Sequence, residues 1–173
     1  MIDEIDLQIL NILQQNARTP NAEIARQVGM APSAVLERIR KLELKGVIQG
    51  YEARINPEAL GLSLLAYVFV RSDERAGDPR TGDLLAQIPE VQEVHHIAGE
   101  DCYLAKVRVR DAKSLGRLLR GPFGAIDAVR STRSTIVLES LRESTQLPIA
   151  LNVSGNPIGS PALVEELEEV SLD

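Results

Sequence analysis

The chain has 173 residues, 44% of them hydrophobic, and a formal net charge of −6. That length holds one ordinary domain or two small ones, and that apolar content excludes wholesale disorder. The acidity speaks against a nucleic-acid partner only until its distribution is read: residues 143 to 173 hold six acids and no Lys or Arg, while the other 142 residues carry 19 basic and 19 acidic groups.

The first segment, "MIDEIDLQIL", is acidic and amphipathic, unlike a signal peptide, and no later run is long and apolar enough to cross a bilayer. Asp3 is placed to cap a helix of about 13 residues ending near Asn16, with Ile5, Ile9, Ile12 and Leu13 as its apolar stripe. "ARTP" breaks that helix. Asn21 caps a short second one in which Ile24, Ala25 and Val28 face inward, and Gly29 suits the left-handed backbone at its end. Pro32 fits the first turn of a third helix, whose buried face is Val35, Ile39 and Leu42 and which Gly46 ends.

Two helices joined by so tight a turn, each with a buried stripe, predict a helix-turn-helix, plain or winged. The second of the pair then leaves the body of the domain and enters a major groove. From Pro32 to Gly46 the bases are Arg38, Arg40, Lys41 and Lys45 against Glu37 and Glu43, a local excess of +2. On this reading Ser33 and Ala34 face base edges and Arg38 reads a base directly, because a guanidinium matches guanine bidentately. Arg40, Lys41 and Lys45 touch phosphates. Asn21, Pro32 and Glu37 complete the candidate DNA surface. The plainer alternative is a three-helix packing unit whose basic residues form a solvated face.

Beyond "VIQGYEARINP", which reads as a short strand or hairpin and a connector, "LLAYVFV" is a continuous apolar run typical of a strand buried on both faces. "TGDLLAQIP" is a short helix with Leu84, Leu85 and Ile88 inward, and "VQEVHHIA" a second strand. "CYLAKVRVR" alternates, with Tyr103, Ala105, Val107 and Val109 on one side and Lys106, Arg108 and Arg110 on the other. "AKSLGRLLR" is a helix and "VRSTRSTIVLES" a fourth strand. Strand-helix-strand occurs twice, which predicts a split βαβ sheet with both helices on one face, and so an α+β chain with a ferredoxin-like second domain. The expected boundaries are 1–50, a connector over 51–62, the sheet domain over 63–142, and an acidic extension over 143–173 made of loose linker and a weak terminal helix. The one cysteine, Cys102, cannot form an internal disulfide, and a reducing cytoplasm is the simplest compartment.

At this point the residues resemble a family. "DEIDLQIL", "AEIARQVGMAPSAV", "ERIRKLELKGVIQGY" and the closing "NP" look like the N-terminal module of the Lrp/AsnC, or feast/famine, transcriptional regulators, and "AGEDCYLAKVRV" stands where that family has its Gly-acid loop. The resemblance covers roughly residues 2 to 149. It implies a dimer formed through the sheets, further assembly into octamers or similar rings, a palindromic double-stranded DNA site, and an amino acid or related metabolite bound between dimers. The residues agree on the dimer, since "LLAYVFV" needs cover on both faces and one helix layer covers one.

The candidate effector residues are the turn Gly99, Glu100 and Asp101, with Tyr103, Thr132 and Ser134 on the strands. Exposed N–H groups at such a turn hold a carboxylate, and a nearby acid pairs with an ammonium. The alternative is a plain hairpin turn with strand hydroxyls bonded locally. Many family members read Gly-acid-aromatic-Asp-aromatic here, whereas this chain has Asp101 and Cys102 at the third and fourth places, so ligand identity does not carry over.

Three rival readings compete. A metal sensor is disfavoured because His95 and His96, adjacent on a strand, point to opposite faces. An enzyme is disfavoured because no phosphate loop, nucleophile elbow or paired base is present in the sequence, so neither cofactor nor metal is expected. A ligand-sensing oligomer that acts through protein contacts, with weak or no DNA binding, stays open as the alternative.

Overall fold

The computed structural model describes residues 2–73 and 80–150. It divides into two units: one runs to Ala53 and takes in the segment from Ser144, and the other spans Arg54–Glu143.

In the first unit, α1 (Glu4–Gln15), α2 (Asn21–Val28) and α3 (Pro32–Leu44) enclose one small core. The start of α1 is a reciprocal capping box: the Asp3 carboxylate accepts the Asp6 N–H at 2.9 Å, and the Asp6 carboxylate accepts the Asp3 N–H at 3.2 Å. Ile9, Ile24 and Val35, one from each helix, are fully buried and meet with Leu13, Ala25 and Ile39. Each large aliphatic side chain so buried contributes about 1.5–3 kcal/mol relative to exposure. Ile5, Ile12 and Val28 pack against this core from its rim.

Asn21 is not the cap expected of it. It is the first residue of α2, and Pro20 occupies the cap position at φ −62°, ψ 145°, with its carbonyl accepting from Glu23 and Ile24. A proline loses nothing there, because a cap residue needs no N–H inside the helix. Gly29, at φ 69°, turns the chain from α2 into α3.

The strand or hairpin expected over 47–57 does not form in this chain. Gly46, at φ 68°, closes α3 in a Schellman arrangement, with its own N–H on the Glu43 carbonyl and the Val47 N–H on the Leu42 carbonyl. The Ile48 N–H also bonds Leu42. The first two amides of the segment are thus spent on the helix end, and Ile48 packs on the three-helix core.

In the second unit β1 (Leu64–Ser72), β2 (Val91–His96), β3 (Tyr103–Val109) and β4 (Val129–Ile136) form one antiparallel sheet in the order β2-β3-β1-β4, the ferredoxin-like order. Between β1 and β2 comes α4 (Arg80–Ala86), and between β3 and β4 comes α5 (Ala112–Leu118), capped by Asp111 and continued by a π turn through Phe123. Ala66, Val68 and Val70 of β1 share a core with Tyr103, Ala105, Val107 and Val109 of β3, under Leu85, Leu115, Leu118 and Phe123. Leu84, expected to face inward, is instead 47% exposed, because the buried line of α4 runs through Thr81 and Leu85, and the adjacent position is turned about 100° away.

The opposite sheet face carries Leu65, Tyr67 and Phe69 beside Leu104, Lys106 and Arg108. Here Glu143 collects three partners. Its carboxylate binds Lys106 and, at 3.1 Å, Arg108, while its carbonyl accepts from Arg54 at 2.6 Å. Lys106, 9% exposed, also meets Glu93 at 3.0 Å. Burial alone would favour the neutral amine, but the two carboxylates outweigh it and hold the Lys106 pKa above its ordinary value. The terminal helix expected in the extension lies outside the described residues.

Candidate nucleic-acid interface

The face of α3 turned away from the core is continuous. Pro32, Ser33, Glu37, Arg40, Lys41, Leu44 and Lys45 are exposed, and Ala34 is half-buried. Val35, Ile39 and Leu42 fix this orientation from the buried side. Leu36, 48% exposed, stands on the same open face, and sequence reasoning misses it. Its signal is there to be read: it falls one position off the buried stripe, and an apolar side chain there can contact a thymine methyl. Asn21 is half-buried at the start of α2.

The cations differ in their freedom. Arg38 is held: its Nη1 donates to Asp3 Oδ2 and to Asp6 Oδ1, both at 2.7 Å, and its side chain is 27% exposed. The expectation of a free, base-reading Arg38 therefore meets a different geometry. Asp6 is nearly buried and its carboxylate takes the guanidinium, which an amide cap alone would leave short of a charge partner. The Asp6 N–H, together with Arg38, keeps the Asp3 carboxyl below its ordinary range, and the two carboxylates raise Arg38. Lys41 meets Glu37 one turn earlier at 3.6 Å, with both side chains more than half exposed, a pairing of little energetic consequence. Among the described residues Arg40 and Lys45 have no ion pair.

Between the start of α1 and α3 lies a shallow cleft of about 380 Å³, where Asp3 and Asp6 face Lys41 and Lys45. Near the end of α3, Glu43 accepts the Tyr51 hydroxyl at 2.9 Å, and burial first, then that carboxylate, pushes the phenol up to about 12.

The candidate effector residues do not converge within one chain. Tyr103, Thr132 and Ser134 lie on the helix-covered side of the sheet, because Tyr103 and Thr132 both stand opposite Val70, and Ser134 stands opposite Val68. Tyr103 is 4% exposed, with its ring 5.2 Å from that of His96. Gly99, at φ 134°, and Glu100 are exposed at the turn. Asp101 reaches the other side, binding Arg133 at 2.9 Å, and the Arg133 guanidinium lies 3.9 Å over the Phe69 ring. His95 and His96 do point to opposite faces, His95 toward Glu93 at 3.4 Å and His96 onto Tyr103.

With this geometry in hand, the comparisons are specific. Residues 2–43 match the AsnC-type helix-turn-helix domain, and residues 65–147 match the Lrp/AsnC ligand binding domain. The leucine-responsive regulatory protein of Escherichia coli is 37% identical over 150 residues, which cover 86% of this chain and 92% of that protein. The feast or famine regulatory protein of Mycobacterium tuberculosis, solved with L-methionine, superposes with a TM-score of 0.80 at 37% identity, covering 87% of this chain and 100% of that one. A transcriptional regulator of Neisseria meningitidis, also in complex with L-methionine, gives 0.79 at 29% identity, over 86% of this chain and 97% of the other. A helix-turn-helix with an open cationic face, followed by a ferredoxin-like sheet and matched in that order by both family models, makes this chain a DNA-binding transcriptional regulator of the Lrp/AsnC family.

Proposed function

We propose that α3 reads duplex DNA with Ser33, Ala34, Leu36 and Glu37 toward the bases and with Arg40, Lys41 and Lys45 on phosphates, and that Arg38 positions the helix through Asp3 and Asp6. The observation that carries this reading is the open face of α3, on which exposed polar and basic side chains stand opposite the buried Val35, Ile39 and Leu42. Pro32 contributes by starting the helix, and Asn21 by its place at the head of α2. The first 53 residues hold six Lys or Arg and seven Asp or Glu, so one three-helix module alone has little electrostatic pull on DNA. Affinity then comes from several units acting together.

The partner in that assembly is a second copy of the chain. Tyr67, Phe69 and Leu104 line the sheet face that none of the described helices covers, and two-fold pairing across it sets two recognition helices for a palindromic site. Larger rings, such as octamers, assemble from these dimers. An amino acid is the effector class that fits, because relatives of the same fold are solved with L-methionine. Since Gly99, Glu100 and Asp101 do not meet Tyr103, Thr132 and Ser134 within one protomer, the effector site is completed between protomers. The role so supported is regulation of transcription, without catalysis, in the cytoplasm.

Selection of bound duplexes from a random pool, with and without each amino acid and with sizing of the protein, tests the proposal. A recovered palindrome whose occupancy or spacing changes with one amino acid is the expected result. Recovery of no preferred sequence under any condition would favour a sensor that works through protein contacts.

A further inference from the structure

Gln14, on α1, is used as though it were a strand. Its Oε1 accepts the Leu147 N–H at 3.0 Å, and its Nε2 donates to the carbonyl of the same residue at 3.0 Å, so one side-chain amide satisfies both backbone groups of Leu147. Gln146 Nε2 returns a bond to the Gln14 carbonyl at 3.1 Å, and Asn11 Nδ2 donates to the Ile149 carbonyl at 3.5 Å. These bonds hold residues 146–149 along α1, within the unit that contains α3. The ligand-domain match ends at residue 147, so the last 26 residues of the 173 belong to neither family model. Of these, residues 151–173 carry five carboxylates (Glu165, Glu166, Glu168, Glu169 and Asp173) with no Lys or Arg.

The length of that segment bounds what it can touch. The 15 residues from Ala150 to Glu165 span at most about 50 Å, and as a compact coil about 20 Å. The recognition helix, 13 residues long, measures about 20 Å. A root held on α1, in the same unit as α3, therefore gives the acidic run a tether whose full span exceeds the length of that helix. On that helix Arg38 is already satisfied by two carboxylates, whereas Arg40 and Lys45 have no ion pair among the described residues and Lys41 has only a distant, exposed one.

We infer that the acidic run 165–173 docks on the Arg40, Lys41 and Lys45 face of α3 and competes there with duplex DNA, the Gln14–Leu147 clasp holding its root on α1 in the same unit. The inference rests on the reading of that face as the DNA contact. A short tether supplies an effective concentration in the millimolar range, enough for a handful of weak carboxylate–cation contacts to lower apparent DNA affinity about three- to tenfold. Ion pairing of this kind is screened by salt, so the competition fades as ionic strength rises.

The test compares the full chain, a chain ended after Ala150, and a full chain carrying Glu165→Gln, Glu166→Gln, Glu168→Gln and Glu169→Gln. Each is titrated with a labelled random-sequence duplex of about 30 base pairs at about 50 and about 300 mM KCl. Both altered chains should bind about three- to tenfold more tightly than the full chain at low salt, with the three converging at high salt. In the full chain, carbodiimide should join the acidic run to Lys41 or Lys45, and added duplex should suppress that product. Gln14→Ala should recover part of the gain. Equal affinities at low salt, weaker binding by the shortened chain, or absence of the cross-link would overturn the inference while leaving the DNA face standing. Failure of all three chains to bind duplex would overturn that face and the inference together.

Discussion

Arg38 and Asp6 meet at 2.7 Å, and the same guanidinium nitrogen lies 2.7 Å from Asp3, so a single side chain of α3 closes onto the capping box that begins α1. The pair links residues 32 positions apart and ties α3 to the start of α1. A cation that looks free for DNA in the sequence is committed inside the unit.

Replacing Arg38 with Ala leaves the nearly buried Asp6 carboxylate without its charge partner, at a cost of about 1–2 kcal/mol. Thermal unfolding should shift down accordingly. DNA affinity should fall evenly across sequences, with an unchanged slope of log affinity against log salt, because no phosphate contact is lost. A changed base preference with unaltered stability would return Arg38 to base reading.

Arg40→Ala and Lys45→Ala should behave oppositely. Each side chain is exposed and without an ion pair among the described residues, so stability should stay within about 0.5 kcal/mol. Each change should reduce the salt slope by about one per DNA-bound helix, while Ser33→Ala or Leu36→Ala should alter which sequences are preferred.

The Glu143 cluster predicts a pH profile for the sheet unit. Lys106 holds the Glu143 and Glu93 carboxyls below their ordinary value of 4.5. A depressed carboxyl adds stability that is complete above the unfolded pKa and is lost as pH falls through the folded one. Unfolding midpoints should therefore hold above about pH 5 and drop below about pH 4.5, and Glu143→Gln should lower the plateau and flatten that acid limb. On the alkaline side the raised Lys106 loses its contribution only as pH climbs past 10.5. An acid limb identical in Glu143→Gln would show that the cluster stores no such stability.

Phe69→Asp tests the sheet face that none of the described helices covers. Its ring lies beneath the Arg133 guanidinium, on the side away from the helices. A carboxylate there should not be tolerated opposite another copy of the same apolar strip, and sedimentation should show a folded chain of smaller assembly. Retention of the wild-type assembly would place the contact elsewhere.

Much of this architecture is legible in the sequence because it is local. The stripes of α1 and α3, the cap at Asp3, the turn at Gly29 and the alternation of β3 each come from a short periodicity. The illegible part depends on distant partners. Nothing near Arg38 announces Asp3 and Asp6, nothing near Gln14 announces Leu147, and the Asp101–Arg133–Phe69 stack joins two strands and the β2–β3 turn. The strand expected from Val47 has a local competitor at its start, since the Val47 and Ile48 amides are already committed to the end of α3.

The most direct measurement is DNA binding by the Arg40→Ala, Lys41→Ala, Lys45→Ala triple variant beside wild type, with assembly followed by sedimentation. Two helices losing three phosphate contacts each should cost at least about a hundredfold in affinity near 100 mM salt, with assembly unchanged. Binding as tight and as salt-dependent as wild type would contradict the assignment of α3 as the helix that meets the duplex.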